Sequence, residues 1–182
     1  LGAGVTLART TDSLAVRGNV SVAGLAYDKQ LFGDVGLGVL YEQGREQHAA
    51  LRLALDGAEV LSAQGDYRKE RESPLDFTLT IPGFPLQKAN VFLPADLLRL
   101  SGNLHGRLHA GGAPDRLELN GGVQFAQTNV RVPMIGTSFR LSSDTIRIDR
   151  SRVVFDHYAI TAPNKSPLTI DGSVDLTDFG RI

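Results

Sequence analysis

From Leu98 to Phe125 the chain reads LRLSGNLHGRLHAGGAPDRLELNGGVQF, and its first half places Leu98, Leu100, Gly102, Leu104, Gly106, Leu108 and Ala110 at every second position. Between them stand Arg99, Ser101, Asn103, His105, Arg107 and His109. A period of two describes a strand with one dry face and one wet one. After Gly111-Gly112-Ala113-Pro114-Asp115, a run of turn formers, the alternation resumes at Leu117, Leu119, Gly121, Val123 and Phe125. Two long strands joined by a turn therefore share an apolar face. Glycine sits on that face at 102 and 121. It weakens a strand unless the backbone bends or is closely approached there, so the spacing predicts a sheet that curls about its apolar side.

The same alternation recurs on either side. Leu14, Val16, Gly18, Val20 and Val22 make the first clear strand, continued by Leu25 and Tyr27. Leu31, Val35, Leu37, Val39 and Tyr41 follow, then Ala49, Leu51, Leu53 and Leu55, then Val60 to Tyr67, then Leu75, Phe77, Leu79 and Ile81. Residues 1–81 thus read as a meander of strands roughly ten residues apart. Ile81-Pro82-Gly83-Phe84-Pro85 breaks the pattern, and Leu86, Ala89, Asn90, Phe92 and Leu93 approach a 3.6-residue spacing before Pro94. That predicts one short amphipathic helix near 86–93, within a helical break over 82–97, packed on the dry face of the sheet. Residues 98–182 return to strands. Phe139 with Leu141, Ile146 with Ile148, Val153 with Phe155, and Tyr158 with Ile160 read as four short ones separated by SSD, DRS and DH. Leu168, Ile170, Val174 and Leu176 close the series around Gly172.

Four segments align: SLAVRGNVSV, LRLSGNLHGRL, LELNGGVQF and LTIDGSVDL, centred on Gly18, Gly102, Gly121 and Gly172, with LALDGAEV around Gly57 a weaker copy. Such self-similarity predicts a repetitive β architecture in which each unit covers its neighbour. Composition agrees with a folded chain: 42% of residues are hydrophobic and 21% charged. A formal net charge of -1 with acids and bases interleaved offers no basic patch, which argues against a nucleic-acid partner. There is no cysteine, hence no disulfide and no thiolate chemistry. No apolar run approaches the roughly 18 residues of a membrane span, and the opening LGAGVTLART lacks the regions of a signal peptide. The start without Met and the end shortly after a strand pattern suggest a segment, residues 1–182, of a longer repetitive protein.

Taken together, these features give the region from about Leu75 to Phe179 a resemblance to the C-terminal domain of the TamB family, the translocation and assembly module proteins of the AsmA-like, bridge-like lipid-transfer superfamily. LSGNLHGRLHAGGAPDRLELNGGVQF resembles that family's LxGxLxGxLxxxG run, proline and LxGxLxL; VRVPMIGTSFRLSSDTIRID resembles its next stretch, and LTIDGSVDLTDF its closing strand. GNVSVAGLAYD and GDY are similar to its preceding strands. The resemblance implies an all-β, folded-over, half-open β-sheet trough (a β-taco) with an apolar interior. It also implies a periplasmic location, with anchoring in the inner membrane by an N-terminal helix outside this chain. Phospholipid is the implied cargo, and outer-membrane protein clients and a TamA-like barrel are implied partners.

On this reading the working part is a surface. Its lining comprises Val16, Val20, Leu37, Leu53 and Leu79 from the meander; Leu100, Leu104, Leu108, Leu117, Leu119, Val123 and Phe125 from the organising pair; and Leu168, Ile170, Val174 and Leu176 from the last strand. An apolar face with no second layer predicted over it leaves room for acyl chains. No catalytic residue, metal or cofactor is expected. His105 and His109 would stand about 13 Å apart along a strand, too far to share an ion held by bonds of roughly 2 Å, and both are expected to be solvated. His48 and His157 stand alone in turn-like contexts. No third glycine completes Gly36-Leu37-Gly38 as a dinucleotide fingerprint, and no nucleophile elbow or phosphate loop occurs. The competing reading is an interaction module that receives a client or partner strand at an open edge, and the same edges predict self-association. A β-helical carbohydrate enzyme is disfavoured by the absence of Trp and the scatter of carboxylates.

Overall fold

The computed structural model describes residues 2–9, 14–27, 30–44, 46–113 and 116–176. Asp28, the Pro114-Asp115 tip and Asp178 lie outside them. The protein is all-β: 76% of the described residues are strand, and the 12 strands found among them belong to one mostly antiparallel sheet. They are β1 (Gly2–Arg9), β2 (Leu14–Tyr27), β3 (Gln30–Gln43), β4 (Gln47–Leu55), β5 (Ala58–Tyr67), β6 (Leu75–Pro85), β7 (Arg99–Ala113), β8 (Arg116–Val132), β9 (Thr137–Leu141), β10 (Thr145–Asp149), β11 (Arg152–Thr161) and β12 (Pro167–Asp175). By contacts the chain forms two compact units: residues 1–82 with 109–118, and residues 83–108 with 119–182.

The first unit is the predicted meander, each strand pairing with the next. β1 lies at its start, a strand absent from the expectation although Ala3, Val5 and Leu7 alternate. The register stacks the apolar residues into rows across the strands. One row runs Ala3↔Val20↔Leu37↔Leu53↔Leu61, and the next runs Val5↔Gly18↔Val39↔Leu51↔Ala63↔Leu79. The opposite face carries Gly4↔Asn19↔Gly38↔Arg52↔Ser62↔Thr80. Alternation in sequence has become segregation by face, because neighbouring strands hold partners level. The LDGA turn between β4 and β5 has Asp56 and Gly57 at φ 50° and 82°, the paired positive values of a two-residue hairpin turn. Gly57 therefore serves a turn, and the LALDGAEV segment is not a copy of the mid-strand glycine motif.

β6 does not stop at Ile81. It continues through Pro82 to Pro85, because its register with β5 runs only from Tyr67↔Leu75 to Ser62↔Thr80. Both prolines lie past the point where that ladder asks for an N–H.

In the second unit the expected helix is a 3-10 helix, Leu86–Phe92. Pro85 precedes it and Pro94 follows closely, which confines it to this short stretch. Leu86 and Val91 point inward, and Phe92, expected on the packed side, is 61% exposed. Asn90 fixes this connection to β7: its side-chain amide donates to Leu100 O and its side-chain oxygen accepts from Leu100 N, both at 2.8 Å. A second 3-10 turn, Pro133–Ile135, ends at Gly136 in the left-handed region.

The four short strands expected between 139 and 160 are three. Asp156-His157 is a bulge inside β11, across which the register steps from Phe155↔Gly172 to Tyr158↔Ile170, with His157 at φ 49°. β8 contains a similar irregularity at Gln127 (φ 50°) and so runs on to Val132. Each bulge restores the dry residues to one face. In β11 Val153 and Phe155 are followed by Tyr158 and Ile160, and in β8 Val123 and Phe125 are followed by Thr128, Val130 and Val132. The Arg150-Ser151 turn between β10 and β11 has two positive φ angles without a glycine, 46° and 59°. β8 supports it: Asn120 Oδ1 accepts from Arg150 N at 2.9 Å, and Leu119 N donates to the Ser151 hydroxyl at 3.0 Å.

Buried apolar side chains are few. Among the described residues they are Leu55 and Val60 in the first unit, and Leu86, Val91, Ile146, Ile148 and Tyr158 in the second. A single layer of sheet leaves most of its dry face half-exposed.

Candidate functional site: an uncovered apolar face

Each lining residue can now be placed. Val16, Val20, Leu37, Leu53 and Leu79 share one face of the first unit by register, and Val20 is 42% exposed, with Val5 and Leu7 beside them at 76% and 64%. Leu117 belongs to the same unit and is 45% exposed. In the second unit Val123↔Ile146, Ile148↔Val153 and Val153↔Val174 continue a single apolar face through to Leu168 and Ile170, paired with Ile160 and Tyr158. A methyl on Gly106 of β7 would lie 3.0 Å from Val123 Cγ1, so Leu104 and Leu108, which flank Gly106 at alternate positions, occupy that face, and Leu100 precedes them. Phe125 follows Val123 on β8, Leu119 precedes Gly121 there, and Leu176 lies just past β12 with its N–H on Ser151 O. The sequence list omitted residues of equal standing on these faces: Ala3, Val5 and Leu7 on β1, and Ile146, Ile148, Val153, Phe155 and Ile160 in the second unit. Their alternation was visible, but only the register shows that they join the same rows.

The glycine motif divides in two. Gly102 and Gly121 sit at φ 102° and 138°, and a methyl there would come within 2.7 Å of Gln127 O and 2.2 Å of Arg107 O. Both positions require glycine for close strand approach. Gly18 lies outside the positive-φ region and a methyl on it would meet nothing within 4 Å. Its place in the aligned repeat reflects the alternation alone.

On the opposite face of the first unit the missing side chains of Gly2, Gly4, Gly36 and Gly38 leave an open depression of about 450 Å³ beside Asn19 and Arg52. Its floor is sheet backbone already committed to ladder hydrogen bonds, so it offers few polar groups to a ligand.

The histidines are not isolated. His48 Nδ1 lies 2.9 Å from Asp66 Oδ1, and His109 Nε2 lies 2.9 Å from Asp76 Oδ1. Arg68 joins these pairs, with Nε 2.8 Å from Glu46 Oε1 and Nη2 3.1 Å from Asp66 Oδ2; its guanidinium is held above its ordinary pKa first by the Glu46 hydrogen bond. The result is a charged rim at one end of the strands. His105, expected to be solvated, is half-buried over Gly83, where a methyl would approach its ring at 3.3 Å. The wet side of β7 is partly covered because Gly83 leaves space for the ring. His157 Nδ1 lies 2.8 Å from Asp156 and 3.3 Å from Asp171. Asp156, His157 and Asp171 could converge on a cation, but all three are exposed and their contacts are accounted for by the bulge they brace.

The arrangement therefore presents a broad, half-exposed apolar surface on each unit and, among the described residues, no helix long and apolar enough to cross a membrane. No protein-family model, no curated protein and no solved structure matches the chain.

Proposed function

We propose that this chain is a lipid-lining segment of a TamB-type periplasmic protein, anchored in the inner membrane by a helix elsewhere in that protein. Its apolar face would shield or conduct phospholipid acyl chains toward the outer membrane, without catalysis or a cofactor. The observation that supports this most is the unbroken apolar face. Rows five and six strands wide carry no polar residue, and their members are half-exposed instead of packed beneath a second layer. Burying each such side chain against an acyl chain is worth about 1.5–3 kcal/mol when complete. Water is a poor permanent occupant of a surface that large.

The test compares neighbours on opposite faces. Val20→Asp and Asn19→Asp add the same charge to exposed positions of β2, and Val174→Asp and Ser173→Asp do so on β12. With a photo-crosslinking phospholipid, Val20→Asp and Val174→Asp should lose most labelling, because the charge must stay hydrated where acyl chains would lie. The Asn19 and Ser173 variants should label as the parent does. Equal labelling of all four folded variants would sink the reading.

Strand addition has one observation in its favour. Among the described residues β1 pairs with β2 alone, all eight of its residues are exposed, and it carries neither a proline nor a bulge against further pairing. On that reading a client strand, a TamA-like barrel or a second copy of the chain docks there. Thr6→Pro should abolish such binding and leave lipid labelling unchanged.

A further inference from the structure

The largest exposed apolar side chains outside the strands of the second unit gather at one end of it. Phe92 (61%), Leu97 (44%), Met134 (69%) and Ile135 (66%) lie in the two connections that leave β6 for β7 and β8 for β9. β7 begins, and β8 ends, at the same end of their hairpin, so the two connections are neighbours. A main-chain hydrogen bond joins them, Met134 N to Asp96 O at 3.2 Å. Both are held in shape. Leu97 and Leu98 donate to Pro94 O at 3.1 Å, Gly136 donates to Pro133 O at 3.0 Å, and Asn90 bonds the first connection to β7. Their apolar side chains are thus presented at little further cost in order.

The charges behind them have one predominant sign. Next to the two connections stand Lys88, Arg99 and Arg131, with Asp96 the single acid in residues 86–99 and 129–138. Projecting Phe, Leu, Met and Ile side chains backed by cations at the strand ends match the two levels of an anionic bilayer surface: hydrocarbon reached by the tips, phosphate met by the guanidinium groups. A protein partner would account for the apolar side chains but gives no reason for the excess of cations.

We propose that these two connections form a membrane-docking tip for anionic phospholipid surfaces. The proposal concerns the end of the unit and holds whether or not the apolar face carries lipid.

Flotation with vesicles tests it. The chain should rise with vesicles of roughly two parts phosphatidylcholine to one of phosphatidylglycerol, and about tenfold less with phosphatidylcholine alone or in high salt. The pair Met134→Ser and Ile135→Ser should cut the anionic partition about tenfold, and the pair Arg99→Gln and Arg131→Gln should remove its salt dependence. The chain has no Trp, so Ile135→Trp gives a clean reporter whose emission should shift to the blue on anionic vesicles. Asn19→Ser, on the face opposite the lining, should float as the parent does. The proposal is overturned if the parent stays with the soluble fraction, if it floats equally on both vesicles, if the serine variant floats undiminished, or if the tryptophan emission does not move.

Discussion

Glycine 121 and glycine 18 occupy equivalent places in an aligned repeat, yet their surroundings differ enough to reverse the effect of one methyl group. At Gly121 an added Cβ would meet Arg107 O at 2.2 Å on a backbone at φ 138°. Gly121→Ala should therefore lower the urea midpoint by the equivalent of about 2 kcal/mol or more. Gly18→Ala should be neutral or stabilise by up to about 1 kcal/mol, since it only restricts the unfolded chain. Equal losses at both sites would show that close approach does not distinguish them. His157 offers a second check at this scale. Its hydrogen bond to Asp156, then the charge of Asp171, raise its pKa above 6.5. The sign follows: a raised folded pKa favours the protonated form, so its contribution is complete below about pH 6.5 and fades as pH rises through the higher folded value. In an NMR titration the imidazole midpoint should lie above 6.5, and Asp156→Asn should lower it more than Asp171→Asn does. The ring is exposed, so the effect on overall stability is small.

Strands, turns and the helical break were legible to different degrees. Alternation located β2 to β5 and β7 closely, since a half-buried strand needs nothing beyond its own period of two. The Asp-His pair in β11 and the Ala126-Gln127 pair in β8 look like interruptions because the period slips by one residue there. A bulge makes the same slip while keeping the strand intact, and only the facing strand distinguishes the two. Removing Gln127 should therefore leave Thr128, Val130 and Val132 on the dry face, because Phe125 and Thr128 would then stand two residues apart in a regular strand. Hydrogen exchange should show protection kept along the Val130↔Phe139 and Val132↔Thr137 pairs. Lost protection in β9 would mean that the extra residue is needed to hold that pairing. The helix at 86–92 was legible in place but not in kind. Its prolines were visible, but the inward direction of Leu86 and Val91 depends on the sheet beneath them.

At the scale of the whole molecule, the shortage of buried apolar side chains makes a solution prediction. The native chain should enhance the fluorescence of an apolar dye such as anilinonaphthalene sulfonate without passing through a loosened state, while near-ultraviolet circular dichroism remains native. Enhancement that appears only on partial unfolding would place the apolar faces under cover. The sequence alone determined that this is a β protein, that the hairpins of the first unit follow one another along the chain, and that each strand has one dry side. These are consequences of periodicity and of short connections, both local properties. The tertiary structure decided which glycines are closely approached, that β6 passes through two prolines, and that residues 109–118, in the middle of the organising pair, pack with the first unit. It also decided that Val5, Ile146 and Phe155 share faces with the lining residues read from alternation. Each of these turns on what the adjacent strand supplies or demands at a given level: a carbonyl too near for a methyl group, a ladder that has already ended, a partner held in register. No residue carries that information about its neighbour across the sheet.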